Sequence, residues 1–152
     1  MRAVAGPGPW AATLTRGLDE AKDQLACFGL RYVVQRHPEA VLPHCENWVR
    51  SEGKWTRRFG VAVLTSLPKD KAYQPSEREF AILDAVMADE AREVQDAVDW
   101  ALREIGKRYP APLADYLRRH APGAGKPTRR IIKRAMKVLP AEEQEAIRGL
   151  LE

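Results

Sequence analysis

Two short segments, GKWTRR at residues 53–58 and GKPTRR at 125–130, each set one lysine and two arginines at the start of an expected helix. The first turn of a helix leaves backbone N–H groups unbonded and carries the positive end of the helix dipole, so cations there reinforce a site that already favours an anion. Phosphate is the anion such a pair of sites suits. Arg57, Arg58, Lys126, Arg129 and Arg130 are therefore candidates for gripping a nucleic-acid backbone at two points, positioning it without reading its bases. The same residues have a second use, in which one arginine of each pair forms the internal salt bridge common in helical repeats. Trp100 stands three residues before Arg103, one turn along one helix face, so WALRE (100–104) sets an indole beside a guanidinium. That pairing suits a sugar and its phosphate together, with burial of the indole in a core as the alternative.

Other chemistries are poorly served. His37, His44 and His120 have no metal-ligand spacing with one another or with Cys27 and Cys45, and there is no CxxC, HExxH, P-loop or GxGxxG pattern. No metal site is expected. The acidic stretch DAVMADEAREVQDAVD (84–99) alternates its acids with Ala, Val and Met and reads as solvated helix faces. At 152 residues, 45% hydrophobic and 30% charged, the chain suits one core, residues 1–152 forming one domain with 1–10 flexible. No apolar run approaches the roughly 18 residues a membrane helix needs, and Gly and Pro in MRAVAGPGPW stand where a signal peptide has its apolar stretch. A cytoplasmic protein with reduced thiols is expected. The net charge of +4 and pI of 9.2 permit a polyanionic partner without demanding one.

The elements that must position these residues are helices throughout, because amphipathic segments closed by Pro or Gly follow one another and no strand-type alternation intervenes. The pattern predicts a helix from near Ala11 to Arg36, interrupted near Gly17, then helices over 38–51, 54–67, 76–87, 89–108, 110–120, 127–139 and 140 to the end, with a surface loop at KDKAYQPS (69–76).

Sliding the sequence against itself by 72 residues pairs 28–68 with 100–140 without a gap, and 11 of the 41 positions are identical. Lys and Arg supply five of these identities, Arg31/Arg103, Arg36/Arg108, Lys54/Lys126, Arg57/Arg129 and Arg58/Arg130, which core repetition alone would not preserve. A 72-residue unit of about four helices is two helical pairs of about 36 residues each, slightly shorter than HEAT and armadillo repeats. The expected fold is an all-α solenoid of HEAT-like antiparallel helix pairs presenting a basic concave face.

The segments HPEAVLPHCENWVRSEGKWTRRFGVAVL (37–64), AVDWALREIGKRYP (97–110) and KPTRRIIKRAMK (126–137) resemble the bacterial DNA alkylation repair glycosylases of the AlkD type, which are HEAT-like solenoids. The resemblance covers most of the chain from about Asp19 onward. It implies excision of cationic alkylated purines, such as 3-methyladenine and 7-methylguanine, from duplex DNA at the nucleoid, with neither metal nor cofactor. Carried over by position, it implies a catalytic carboxylate at Asp23, an active-site arginine at Arg58, and a Trp100–Arg103 pair on sugar and phosphate. Two features depart from the family. Asp19 occupies the place of a tryptophan one turn before the catalytic Asp, and members normally carry additional helices ahead of this region, which implies a chain shortened at its N-terminus. The alternative functions are a solenoid that grips DNA without catalysis and a scaffold for another protein; pairing between copies stays open.

Overall fold

Proline punctuation decides where several helices begin. The computed structural model describes residues 29–152, and within them lie eight α-helices and two 3₁₀ segments. In chain order these are α1 (Arg31–Arg36), α2 (Pro38–Trp48), α3 (Lys54–Ala62) with a 3₁₀ continuation over Val63–Lys69, α4 (Glu77–Asp84), α5 (Arg92–Arg108), α6 (Pro110–His120), α7 (Lys126–Ala135) followed by 3₁₀ Met136–Val138, and α8 (Ala141–Leu151). No strand occurs among the described residues. The residue before a proline is pushed out of the helical region, and His37 (φ −132°, ψ 57°) and Tyr109 (φ −130°, ψ 72°) do this identically ahead of Pro38 and Pro110.

Several boundaries fall inside the expected ones. The helix expected to reach Ser51 ends at Trp48. The helix over 54–67 turns into 3₁₀ geometry at Val63, where approaching Pro68 offers no N–H for an i→i−4 bond. The helix expected from Asp89 starts at Arg92, because the Asp89 carboxylate accepts the Ala91 N–H at 3.0 Å and holds a turn ahead of it. The upstream part of the helix expected from Ala11 lies outside the described residues.

The 72-residue repeat is present in the backbone. Helices α2 and α6 occupy equivalent positions, as do α3 and α7, and the latter two start from extended glycines, Gly53 and Gly125. Matched residues are buried in both copies: Val41 and Leu113, Cys45 and Leu117, Val49 and Ala121, Leu64 and Met136, Leu67 and Leu139. Two pairs of matched positions exchange volume. Val34 faces its core with Val41 nearby in sequence, whereas the second copy has Gly106 and the larger Leu113, whose Cδ2 would lie 2.2 Å from a Cβ on Gly106.

Packing is in two rows. In one, α5 lies between α3 and α7 and contacts both; in the other, α2 meets α4 and α6 meets α8. Three contacts between segments 73–84 and 109–120 join residues 36 apart: the Tyr109 hydroxyl donates to the Tyr73 carbonyl, the Tyr116 hydroxyl to the Phe80 carbonyl at 3.5 Å, and His120 bonds Asp84 at 2.9 Å. Tyr116 also stacks on Phe80 with ring centroids 4.8 Å apart. Leu83, Leu102, Leu113, Leu117, Ile131 and Ile132 fill the space between the rows, and each such side chain contributes about 1.5–3 kcal/mol by leaving water.

Candidate nucleic-acid interface

Helix α7 divides into two faces. Thr128, Ile131, Ile132 and Ala135 point into the core, while Lys126, Arg129, Arg130, Lys133 and Arg134, at spacings i, i+3, i+4, i+7 and i+8, line one open groove. A second groove adjoins it and shares Lys126 and Arg130, with Glu90, Arg92, Gln95 and Pro127 as its other walls. Lys126 and Lys133 are exposed and reach solvent on their own. Lys133 and Arg134 have no cationic counterpart in the first repeat, where buried Val61 and Ala62 stand 72 residues earlier.

The central helix α5 supplies the neighbouring surface. Its buried face runs through Val94, Ala97, Val98, Ala101, Leu102 and Ile105, and its other face shows Asp96, Trp100, Arg103 and Lys107. Trp100 is partly buried and packs against the core. Arg103 is held by Asp99, with Nε 3.0 Å and Nη2 2.8 Å from Oδ1. The other oxygen of Asp99 accepts Arg134 Nε at 2.6 Å, which pushes the Arg134 pKa above its ordinary value. Arg130 donates to Gln95 Oε1 at 3.2 Å and lies 2.8 Å from Asp96.

The paired arginines of the two helix starts have different tasks. Arg57 places Nε 2.7 Å and Nη2 3.3 Å from the two oxygens of Asp89, and its Nη1 donates to the carbonyls of Ser51 and Glu52 at 3.1 and 2.8 Å. Every nitrogen of that guanidinium is engaged internally. Arg57 is thus the salt-bridging member of its pair. Arg58 donates to the Glu93 carbonyl at 2.6 Å and joins α3 to α5. Lys54 lies 3.2 Å from Glu93, whose carboxyl is held below its ordinary 4.5 first by a bond from its own backbone N–H and then by that ammonium. Arg129 donates to the Leu151 carbonyl and ties α7 to the end of α8.

The acidic stretch is solvated at Asp84, Glu90, Glu93 and Asp96 but not at two of its acids. Asp99 is fully buried and Asp89 is 9% exposed, each neutralised by arginine. Asp99, Lys133 and Arg134 are functional candidates that sequence reasoning passed over. The signals were present: Asp99 stands four residues before Arg103 among Ala97, Val98, Ala101 and Leu102, and the cations of α7 repeat at helical spacing. Among the described residues, no group of three or more His, Cys, Asp or Glu is arranged to hold a metal ion, and no helix is long and apolar enough to cross a membrane. His37 stands at a helix end, His44 stacks on Trp48 and His120 pairs with Asp84.

The family model described as DNA alkylation repair enzyme matches residues 20–139. The chain belongs to the DNA alkylation repair family. Its role is accordingly in DNA alkylation repair, with DNA as the partner which that role entails. No curated protein and no solved structure matches the chain. The matched span takes in every site residue of α3, α5 and α7, and also Asp23, while Asp19 falls just before it. Both aspartates lie outside the described residues.

Proposed function

We propose that the chain is a DNA glycosylase that grips duplex DNA by its backbone and hydrolyses the N-glycosidic bond of cationic alkylated purines. Residues 1–152 form one HEAT-like solenoid in this reading, with α3, α5 and α7 as the inner row; bonds that join residues 35 or 36 apart in both rows support it. The observation that carries the functional reading is the surface shared by α5 and α7, where Asp99 joins Arg103 to Arg134, one of five cations that wall an open groove.

A purine alkylated at N3 or N7 is already positively charged, so its bond to the sugar breaks with little need of a general acid. The species to stabilise is the oxocarbenium-like sugar. A carboxylate fixed near the anomeric carbon does this electrostatically and orients the attacking water, as one of the two carboxylates does in glycoside hydrolysis. Asp23 fills that role. Trp100 packs on the deoxyribose, and Arg58, Arg103, Lys126, Arg129 and Arg130 hold flanking phosphates. Capture through the backbone makes a deep pocket for a flipped base unnecessary, in keeping with the open form of both grooves. No metal or cofactor takes part.

The test is release of 3-methyladenine and 7-methylguanine from duplex DNA treated with a methylating agent, comparing the natural chain with Asp23→Asn. Release that disappears in Asp23→Asn is the expected result. Asp19 in the place of a family tryptophan favours a second reading, a grip on DNA without catalysis. Salt-sensitive binding without release supports that reading and removes the enzymatic one. Absence of DNA binding even at low salt leaves a protein scaffold.

A further inference from the structure

Asp99 has no access to solvent, yet it stands among Ala97, Val98, Ala101 and Leu102 on the buried side of α5. An ionised carboxylate in such a place is costly unless it is paired and hydrogen-bonded, and an apolar residue would serve packing alone at least as well. Its two oxygens are divided between helices: Oδ1 accepts Arg103 Nε and Nη2 from α5 itself, and Oδ2 accepts Arg134 Nε from α7. Neither guanidinium is consumed by this. Arg103 is 37% exposed and Arg134 45%, and the Nη1 groups of both have no partner among the described residues. Each arginine is tethered to Asp99 while part of it stays exposed, and Arg134 Nη2 also lies 4.0 Å from Asp96 Oδ1.

We propose that Asp99 is a positioning residue that locks Arg103 and Arg134 into a two-guanidinium clamp for a DNA backbone phosphate. The inference rests on the DNA-binding reading above and adds to it Arg134 and the buried acid behind the clamp. A guanidinium is a planar fork that gains most when its orientation is set before the oxyanion arrives. Asp99 sets the orientation of two such forks, from separate helices, with one buried group. It also fixes the spacing between α5 and α7 at the point where the cationic groove begins.

The physical test lies in a sign. Coulomb attraction alone makes removal of a carboxylate from this surface strengthen DNA binding, whereas loss of positioning weakens it. Binding of the full chain to a short duplex is measured by fluorescence anisotropy over a range of salt for the natural protein, Asp99→Asn and Glu90→Gln, the last removing an exposed acid at the neighbouring groove. The expected result is about tenfold weaker binding by Asp99→Asn, a salt slope shallower by about 0.9 for one lost phosphate contact, and unchanged or tighter binding by Glu90→Gln. Binding by Asp99→Asn as tight as the natural protein or tighter overturns the proposal and leaves DNA binding intact, as does equal weakening in Glu90→Gln. If circular dichroism shows that Asp99→Asn does not fold, Arg134→Lys decides: it keeps the charge and loses the fork, so it binds as weakly as Arg134→Ala, and natural affinity in Arg134→Lys overturns the clamp. Salt-independent binding by the natural protein removes the DNA reading and the clamp with it.

Discussion

A guanidinium bound at every nitrogen and an ammonium reaching into water are both cations in a sequence, and only the second is available to a phosphate. Arg57 belongs to the first kind through Asp89, Ser51 and Glu52. Arg57→Ala should destabilise the chain by about 2–4 kcal/mol, since it strands a largely buried carboxylate, while the folded fraction binds DNA as before; a denaturant titration beside a binding titration checks both. Lys126 and Lys133 belong to the second kind. Replacing either by alanine should leave the melting temperature unchanged and make the salt slope of DNA binding shallower by about 0.9. Glu93 gives a prediction in pH. Its carboxyl is held below 4.5 by its own backbone N–H and by Lys54, so its stabilising effect is present above the unfolded pKa and is lost as pH falls through the lower folded value. The bridge is half-exposed, and Glu93→Gln should cost about 0.2–1 kcal/mol at pH 7, a melting shift of about 1–4 °C that closes in acid.

At the scale of elements, the repeat is a repeat of volumes as much as of residues. Gly106 allows Leu113 of α6 to lie directly against α5, in the place where the first copy has Val34 and Val41. A methyl group on Gly106 would meet Leu113 Cδ2 at 2.2 Å and Val138 Cγ2 at 2.9 Å. Leu113 is fully buried and Val138 partly buried against the core. Gly106→Ala is therefore expected to destabilise by about 1–3 kcal/mol despite the better helix propensity of alanine, measurable as a fall of about 2–10 °C in melting temperature. Gly106→Ala with Leu113→Val, which gives position 113 the valine of the first copy and withdraws the clashing Cδ2, should recover much of the loss. Double-mutant analysis of those two changes reads the coupling directly.

For the whole molecule, three helices lie side by side, and the charge they display is uneven along the row. The α3 end is drawn into internal bonds by Asp89 and Glu93, whereas the α7 end shows Lys126, Lys133 and Arg134 to solvent. DNA affinity should accordingly depend more on α7 than on α3. A chain with Lys126, Lys133 and Arg134 all changed to alanine should lose most of its salt-dependent binding, whereas Lys54→Ala should lose little. Equal losses from the two helices would show that the row engages DNA along its whole length.

The sequence by itself determined what local chemistry determines: helix starts at Pro38 and Pro110, the extended glycines ahead of α3 and α7, the 72-residue repeat with its repeated cations, and the motifs of DNA alkylation repair carried by those same segments. Only the tertiary structure decided which cations remain for a ligand. The partners that decide it lie far along the chain, Asp89 at 32 residues from Arg57, Glu93 and Asp99 at 35 from Arg58 and Arg134. Helical periodicity shows which face of its own helix a residue occupies, but not which neighbour that face meets. The buried Asp99 makes the point most directly, since DWALRE shows its spacing from Arg103 but not the second arginine, which arrives only when α7 packs across it.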